Sequence, residues 1–335
     1  MSSVSYQAPL VSALRRGGLA PATYLAYRRA VNNFLRDCNL KYTQLIQLSV
    51  RLIDLWLAAW LEAEFEAGGS RAYGENTRNG LHFYIPKCRH RLHESHLRLK
   101  GWKRQKPGKS YPPLPRNIAT LVSVHLAARG DWLACVAVLL SFDCYLRINE
   151  CCNLKVGDIR IPKDRRLGEP YLHSAVHLRT TKTIDNLTCT VSDPVLARIL
   201  HRMIIGRQPS ERLFPFTAST LRDRHFKSTL RNLGLGHLGF VPHSLRHGGA
   251  THDFVIVGKS ESYVTKRGRW ASSKNAHRYM QTLAAVDLTY AVPRDMDQQG
   301  RDFHEQLELV LDSAIGRRLP PLPPLSRAVK DARTW

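Results

Sequence analysis

Apolar side chains recur at helical spacing along the first third of the chain. Between Pro21 and Cys38 they predict one amphipathic helix, whose face carries Tyr24, Tyr27, Val31, Phe34 and Leu35. A second helix is predicted from about Val50 to Ala67, with Gly68-Gly69 ending it, and one side carries Leu52, Leu55, Trp56, Ala59, Trp60 and Ala63. The helical pattern continues to about Leu99. We therefore expect a flexible N terminus over residues 1–16 and a small all-helical domain over residues 17–97.

The pattern changes in the second domain, which is predicted to span residues 116–296. Helical spacing covers about Asn117–Ala128 and Asp131–Phe142. Alternating polar and apolar residues then predict two short strands, Tyr171–Thr180 and Leu187–Val191, joined as a β-hairpin. Further helices are expected at a Ser192-Asp193-Pro194 start and over Thr220–Leu233, Ser244–Val257 and Ser260–Arg267. The expected fold class is mainly α with a small β-sheet.

The last segment, residues 297–335, begins with one more amphipathic helix. Asp297–Ile315 places Phe303, Leu307, Val310 and Leu311 on one face, and the proline-rich stretch Arg317–Leu325 is predicted to be extended. Such a helix packs on its own domain or docks on a neighbouring subunit. The sequence leaves both possibilities open.

Charge narrows the choice of partners. The chain has 335 residues, with 50 Lys and Arg against 27 acids, a net charge of +23 and a pI near 10.1. This excess favours polyanions, and nucleic acid first, because each neutralised phosphate releases a counterion. We predict no membrane partner, since no apolar run approaches the roughly 18 residues of a membrane span and no Lys-rich amphipathic helix lies at a terminus.

The chain is expected to be intracellular: nuclear in a eukaryote, in the cytoplasm or nucleoid of a prokaryote. The start of the chain has no apolar run typical of a secretory signal. The seven cysteines form no C-x-x-C pair. They are predicted to be reduced thiols, mostly in the core.

One basic segment stands out. Lys87 to Lys109 holds nine Lys or Arg and one acid, Glu94. It predicts a basic helix that runs into a proline-stiffened linker over residues 98–115. The segment is either a solvated charge run or a DNA-facing strap, whose candidate contacts are Arg98, Lys100, Lys103, Arg104, Lys106 and Lys109.

The same segment contains Cys88, His90, His93 and His96. Zinc ligands usually come in two separated pairs, and the sequence has no second pair here. We predict no metal site, and the histidines are expected to extend the basic face.

Four short segments carry candidate chemistry. They are Cys144–Glu150 with Arg147, the hairpin residue Lys182, the run from His243 to Thr251, and Gly268-Arg269-Trp270 followed by Tyr279. Cleavage of a phosphodiester needs charge neutralisation, a nucleophile and a proton donor for the leaving oxygen. Arg147 and Arg246 could clamp a phosphate, and Tyr279 could form a covalent intermediate. His243 could move protons, and Lys182 could protonate the leaving oxygen.

Each of these residues has an ordinary structural explanation when it is taken alone. An Arg three residues before a Glu, here Glu150, is usually an intrahelical ion pair. A hairpin Lys is usually solvated, and His243 after Pro242 is typical of a helix start. The ordered set is what carries information.

That set resembles the catalytic domain of the tyrosine recombinase, or integrase, family. Leu146-Arg147-x-x-Glu150 is similar to the family's first arginine box, and His243-x-Leu245-Arg246-His247 with Ala250-Thr251 to its second. Lys182 falls in the family's β-hairpin and Trp270 takes its His or Trp position. Tyr279 follows Trp270 at the family's nine-residue distance. Thr23-x-x-x-Tyr27 and Phe34 resemble the first helix of the core-binding domain, so the likeness covers about residues 17–290.

The form Arg267-Gly268-Arg269-Trp270-x-Ser272 looks most like recombinases of eukaryotic mobile elements, the DIRS-like and Crypton-like groups. Two departures from the family pattern are visible. Tyr145 stands where the family commonly has Gly, and Trp270 cannot do the acid–base work of the commoner histidine, although its indole N–H can donate to a phosphate oxygen.

The resemblance implies a two-domain C-shaped clamp on double-stranded DNA and a site-specific recombinase that forms a 3′-phosphotyrosyl bond at Tyr279. Glu150 and His247 would support the catalytic residues. The intermediate stores the bond energy, so no cofactor, ATP or metal is implied. Four protomers would assemble on two DNA sites as a homotetramer.

Two alternatives stay open. A type IB topoisomerase would use similar chemistry on one duplex, and strand exchange between two sites separates it from a recombinase. A non-catalytic DNA-binding protein from a decayed mobile element would leave no protein covalently attached to DNA.

Overall fold

The computed structural model describes residues 7–108, 110–161, 174–180 and 185–315. The chain divides into two compact units, Met1–Lys109 and Ser110–Trp335. Lys109, Lys182 and the proline-rich stretch Arg317–Leu325 lie outside the described residues. None of the described helices is long and apolar enough to cross a membrane.

The first unit is all helical. The segment expected to be a flexible N terminus is ordered in part, since Ala8 is buried and a helix begins at Ala13. The helices of the unit are α1 (Ala13–Gly17), α2 (Pro21–Asp37), α3 (Tyr42–Gln47), α4 (Val50–Glu66), α5 (Arg71–Tyr84) and α6 (His93–Gln105). The predicted face of α2 is confirmed in the main, because Tyr24, Val31, Phe34 and Leu35 are buried there.

The face predicted for α4 is mostly wrong, because Trp60 is the one member of it that is buried. Leu52, Leu55 and Trp56 are exposed, whereas Ile53, Leu57 and Leu61 are fully buried. Apolar residues surround this helix, so their spacing cannot select a face. The deciding feature is long-range: buried Asp54 accepts hydrogen bonds from the backbone N–H groups of Glu94 (2.8 Å) and Ser95 (3.0 Å), at the start of α6. Asp54 thus acts as a tertiary N-cap, and its face must turn inward.

Helix α6 includes residues 98–105, which the sequence pattern assigned to the linker. It packs on α4 through Leu99 and Trp102, both buried. Its candidate DNA contacts Arg98, Lys100, Lys103 and Arg104 are exposed, as is Lys106 just after it. Arg98 pairs with Glu62 at 2.6 Å, and Lys106 lies over the Phe65 ring at 4.3 Å. Cys88 belongs to the hydrophobic core of this unit.

The second unit is mainly helical around a small sheet. Before the sheet come α7 (Arg116–Ala128), α8 (Trp132–Asp143) and α9 (Ile148–Cys152). Strands β1 (Ile159–Arg160), β2 (Ala175–Thr180) and β3 (Asp185–Thr190) form an antiparallel sheet in that order. The register pairs Ala175 with Thr190 and Thr180 with Asp185, which confirms the predicted hairpin on either side of residues 181–184.

The helices after the sheet largely follow the predicted pattern, and Asp193 caps the first of them through the N–H groups of Val195 and Leu196. They are α10 (Pro194–Ile204), α11 (Lys227–Asn232), α12 (Pro242–Thr251), α13 (Glu261–Arg267), α14 (Ser273–Ala276), α15 (Thr282–Ala291), α16 (Arg294–Glu305) and α17 (Leu307–Ile315). Two predicted helices begin or end in π-helical turns, Thr220–Phe226 before α11 and His252–Ile256 after α12.

The single C-terminal helix predicted over Asp297–Ile315 is two helices. Helices α16 and α17 both pack on α7 of the same unit, and Leu307, Leu311 and Ile315 are buried in its core. Of the two alternatives left by the sequence, packing on its own domain is the one observed. Six of the seven cysteines are buried and all are free thiols, in agreement with the sequence.

Candidate active site

Tyr279 follows the short helix α14 and is anchored to α12. The Thr251 hydroxyl donates to the Tyr279 carbonyl at 2.7 Å and accepts from the Gln281 N–H at 3.1 Å. Helix α12 therefore fixes the backbone on both sides of the candidate nucleophile.

The Tyr279 ring is held between two other rings. It stacks on His247 and on Trp270, each at a centroid distance of 4.5 Å with interplanar angles of 27° and 29°. Behind Trp270, the ring of Tyr145 continues the stack at 6.1 Å. Contact with both rings limits the swing of the Tyr279 side chain about its Cα–Cβ bond, so the phenol oxygen keeps a defined direction.

Gly268 makes room for this arrangement. A Cβ atom at residue 268 would lie 1.9 Å from the Trp270 ring, so only glycine allows the indole to fold back over the chain. Arg269 between them has a φ of +57°, in the left-handed region. The local backbone thus turns Trp270 toward Tyr279.

Arg246 lies beneath the stack and is fully buried. Its guanidinium carbon is 4.9 Å from the Trp270 ring centroid and 5.3 Å from that of Tyr279. It donates to the Gly268 carbonyl at 2.6 Å and to the Tyr145 carbonyl. Burial, together with the charges of Arg269 and Arg147, lowers the pKa of Arg246 to about 10.

Four buried donors in this cluster have no hydrogen-bond partner among the described residues: Nε of Arg246, Arg267 and Arg269, and Nε1 of Trp270. Those of Arg246 and Trp270 belong to the two residues that contact the Tyr279 ring. A buried N–H without an acceptor is costly, and such groups commonly mark a site that a ligand completes. An anionic oxygen is the natural acceptor for both.

Arg147 begins α9 and forms the ordinary ion pair that its spacing from Glu150 predicts. Its N–H donates to Glu150 Oε2 at 2.8 Å and its Nη1 to Oε1 at 2.5 Å. Glu150 also pairs with Arg269 at 3.3 Å and lies 3.9 Å from Arg246. Burial opposes ionisation of this carboxyl, but the hydrogen bond from the Arg147 backbone and the charge of Arg269 prevail and lower its pKa. One carboxylate therefore organises three guanidinium groups.

The two histidines of α12 face Tyr279. His243 lies 5.7 Å from the Tyr279 ring and 5.0 Å from that of His247, centroid to centroid. Burial and the charges of Arg246 and Arg147 lower the pKa of His243 to about 4. Burial and the charge of His243 lower the pKa of His247 to about 3. Both imidazoles are therefore neutral near pH 7 in the DNA-free protein.

The structure thus brings together Arg147, Glu150, His243, Arg246, His247, Trp270 and Tyr279. Lys182 cannot be placed, since it lies outside the described residues. The exposed basic residues of α6 belong to the other unit.

Sequence reasoning missed two arginines of the cluster. Arg269 is almost fully buried and donates to the carbonyls of Cys144 (3.1 Å) and Tyr145 (3.0 Å). Arg267 donates to the Asp143 carbonyl at 2.7 Å and pairs with Asp253 at 3.7 Å. The available signal was the run Arg267-Gly268-Arg269 directly before Trp270.

Tyr145 is the other missed residue, and it accounts for a departure from the family pattern. Its φ is +47°, a backbone conformation that glycine adopts without strain. Here the tyrosine side chain is nevertheless buried, and its hydroxyl donates to Asp253 Oδ2 at 2.5 Å. The left-handed turn directs its carbonyl at Arg246 and Arg269.

A family model described as the phage integrase family matches residues 118–285, half of the chain. The chain belongs to the phage integrase family. No curated protein sequence matches it significantly.

Solved structures of integrases share the fold. The Tn1549 transposon integrase (residues 82–397), in complex with circular intermediate DNA, is 15% identical, with 79% of this chain and 91% of that chain covered and a TM-score of 0.57. A lambda integrase dimer bound to a COC′ core site is 17% identical, covering 80% and 73%, with a TM-score of 0.53. A lambda integrase tetramer bound to a Holliday junction is 17% identical, with 79% of this chain and 73% of that chain covered and a TM-score of 0.54. This integrase fold confirms the class expected from the sequence, mainly α with a small sheet.

Proposed function

We propose that the protein is a site-specific DNA recombinase that cleaves and rejoins DNA through a 3′-phosphotyrosyl intermediate at Tyr279. The observation that carries the proposal is the Tyr279 ring, stacked between His247 and Trp270 above the buried guanidinium of Arg246. A structural tyrosine has no need of a buried cation with an unused donor beneath it. Placement of a nucleophile against a phosphate does need one.

Each residue has a role in the proposed reaction. Arg246 and Arg147 bind the non-bridging oxygens of the scissile phosphate, and Trp270 Nε1 donates a third hydrogen bond. The Tyr279 oxygen bonds to phosphorus while the bond from phosphorus to the 5′ oxygen breaks. The phenol proton passes to His243, which is neutral and able to accept it. Lys182 gives a proton to the leaving 5′ oxygen, and rejoining reverses these transfers.

The supporting groups act through these residues. Glu150 orients Arg147 and Arg269, and His247 supports the tyrosine ring. The exposed basic residues of α6, with Lys109, would contact DNA phosphates, which fix position more than sequence. We further propose a homotetramer on two DNA sites, in keeping with the lambda integrase tetramer bound to a Holliday junction.

Covalent capture tests the chemistry. Nicked duplex substrates made from the DNA that flanks the gene trap the intermediate, because the fragment beyond the nick diffuses away. Wild type should give a protein–DNA adduct that survives denaturation, and Tyr279→Phe should give none. Tyr290→Phe is the matched control, since Tyr290 is 86% exposed on α15. No adduct with wild type, or an adduct that persists in Tyr279→Phe, would refute the proposal.

A second assay separates the recombinase from a topoisomerase. Two labelled duplexes that each carry the site should exchange strands in the presence of the protein. Relaxation of a supercoiled plasmid without such exchange would favour the type IB topoisomerase alternative instead.

A further inference from the structure

Tyr145 has a backbone conformation that is costly for a residue with a side chain. Its φ is +47°, in the left-handed region, which glycine adopts without strain. Its side chain is nevertheless one of the largest that the protein encloses fully. Strained positions of this kind persist where the surrounding contacts offset the cost, and they cluster at active sites. The contacts of this side chain therefore indicate why a tyrosine stands here.

The Tyr145 side chain is held along its whole length. Its hydroxyl donates to Oδ2 of Asp253 at 2.5 Å, on the π-helical turn after α12. The guanidinium carbon of Arg267 lies 5.4 Å from the centroid of its ring. A Cβ atom at Gly249 would lie 2.7 Å from ring atom Cδ1, so the ring already lies against the backbone of α12. These contacts leave the ring little freedom to move.

The ring of Tyr145 in turn contacts Trp270. The two ring centroids are 6.1 Å apart and the interplanar angle is 25°, an offset-stacked arrangement. The indole also stacks on Tyr279, at 4.5 Å and 29°. Tyr145 thus packs on the residue that packs on the candidate nucleophile.

The direction of the Trp270 indole depends on this packing. Its Nε1 is buried and has no hydrogen-bond partner among the described residues, so packing rather than a hydrogen bond orients it there. The side chains that contact the indole include Tyr145, Tyr279 and Arg246. Of these three, Tyr145 is the one that has no step of its own in the proposed reaction.

We propose that Tyr145 is a positioning residue, whose ring holds the indole N–H of Trp270 toward the scissile phosphate. This rests on the proposed function, because the phosphate contact of Trp270 is part of it. Tyr145 acts through Trp270 and makes no contact of its own with the phosphate. The Tyr145 carbonyl accepts from Arg246 and Arg269, and every substitution of the side chain retains that backbone group.

Two substitutions separate the parts of the Tyr145 side chain. Tyr145→Phe removes the hydroxyl and its bond to Asp253 but keeps the ring. Tyr145→Gly removes the ring and leaves a residue that adopts the left-handed conformation without strain. Tyr145→Leu fills part of the space without an aromatic ring, and it replaces the glycine variant if that variant does not fold. Tyr290→Phe, on the exposed side of α15, is the control.

The mobility of the indole can be measured without any cleavage. Full-length protein with 15N in its six tryptophans gives indole N–H signals, of which the one lost in Trp270→Phe belongs to Trp270. The heteronuclear NOE of this signal reports motion on the picosecond to nanosecond timescale. We expect a high value in wild type and in Tyr145→Phe, and a lower one in Tyr145→Gly. An unchanged NOE in folded Tyr145→Gly, or an equal fall in Tyr145→Phe, would overturn the proposal.

Single-turnover cleavage of the nicked duplex tests the consequence for the reaction. Tyr145→Gly should cleave roughly 10- to 100-fold more slowly than wild type, the order of loss for a misplaced catalytic contact. DNA affinity should not change, and Tyr145→Phe should cleave at nearly the wild-type rate. A glycine variant that cleaves as fast as wild type would contradict the positioning role.

A double variant shows whether Tyr145 acts through Trp270. Tyr145→Gly should have little further effect in Trp270→Phe, because the N–H that it positions is already absent. A merely structural role would instead give losses that multiply, and that result would refute the proposal. If wild type forms no adduct, the proposed function fails, whereas the indole NOE still decides whether Tyr145 holds Trp270.

Discussion

Acid should destabilise the second unit through its buried histidines. His243, His247 and His252 all lie on α12 or the π-helical turn after it. Burial is the main cause that lowers their pKa values, and positively charged neighbours add to it. The pKa falls to about 4 for His243, about 3 for His247 and about 4 for His252. An unfolded chain would titrate these groups near pH 6.5.

The sign of the effect follows from linkage. Below about pH 6.5 these histidines bind protons in the unfolded chain but stay neutral in the folded protein. Their full contribution to the free energy of unfolding is therefore present only above that pH. It is lost progressively as the pH falls toward the folded pKa values. At pH 5 a histidine that stays neutral costs about 2 kcal/mol of stability, which gives an upper limit of about 6 kcal/mol for three.

Solvent screening reduces this limit. His247 is almost fully buried, but His243 and His252 are half-buried. With their shifts halved, the expected loss between pH 7.5 and pH 5 is roughly 3 to 5 kcal/mol. This is a large share of the 5–15 kcal/mol that typically holds a folded domain together.

Calorimetry in buffers of different ionisation enthalpy measures the protons taken up on unfolding. We expect these three residues to contribute about one to three protons near pH 5, with a Tm that falls steeply from pH 7 to 5. Burial also lowers the pKa values of His82, His125 and His304, so the total uptake should be larger and the variants identify the contribution of α12. His247→Gln should reduce the uptake by about one proton, whereas His237→Gln, at an exposed position, should not change it. Uptake of less than one proton, or a Tm that is flat over this range, would refute the reasoning.

Three further predictions concern packing, capping and DNA contacts. Gly249→Ala should destabilise the second unit by about 3 kcal/mol in urea unfolding, since the new Cβ would lie 2.2 Å from the Phe142 carbonyl oxygen; a loss under about 1 kcal/mol would contradict this packing. Asp54→Ala should lower the free energy of unfolding of the first unit by about 2 to 3 kcal/mol, because two N–H groups of α6 lose a buried charged acceptor. Glu62→Ala removes only an exposed ion pair and should change it little. Equal losses in the two variants would argue against the cap. Alanine at Lys100, Lys103 or Arg104 should each reduce the salt dependence of DNA affinity by about one ion, equally for all DNA sequences, in titrations at several salt concentrations; an unchanged slope would exclude a phosphate contact.

Much of the site follows from residues that are close in sequence. The spacing His243-x-x-Arg246 puts both side chains on one helix face, and the distance from Trp270 to Tyr279 spans a single turn and short helix. Local patterns also predicted the hairpin and most helices of the second unit. Helices α9, α14 and α15 were not anticipated: α9 and α14 have only five and four residues, and α15 begins without a side-chain cap.

What the sequence could not provide is decided by contacts between distant segments. The sharing of Glu150 by Arg147, Arg246 and Arg269 joins three separate parts of the chain. The buried face of α4 depends on Asp54 and the start of α6, and the left-handed turn at Tyr145 depends on the arginines that bind its carbonyl. Spacing along one helix contains no information on such partners.

The charge balance of the site is a physical reason to expect phosphate binding under the proposed function. Three guanidinium groups surround one carboxylate, and burial and mutual repulsion lower the pKa of Arg246 to about 10. A shift of this size means that the site destabilises the charged guanidinium of Arg246 by about 3 kcal/mol relative to water. A phosphodiester bound as proposed would bring the missing negative charge and accept from the unused Nε of Arg246, which would offset part of this cost. The same negative charge would favour protonation of His243, which couples DNA binding to proton uptake at the atoms that the reaction uses.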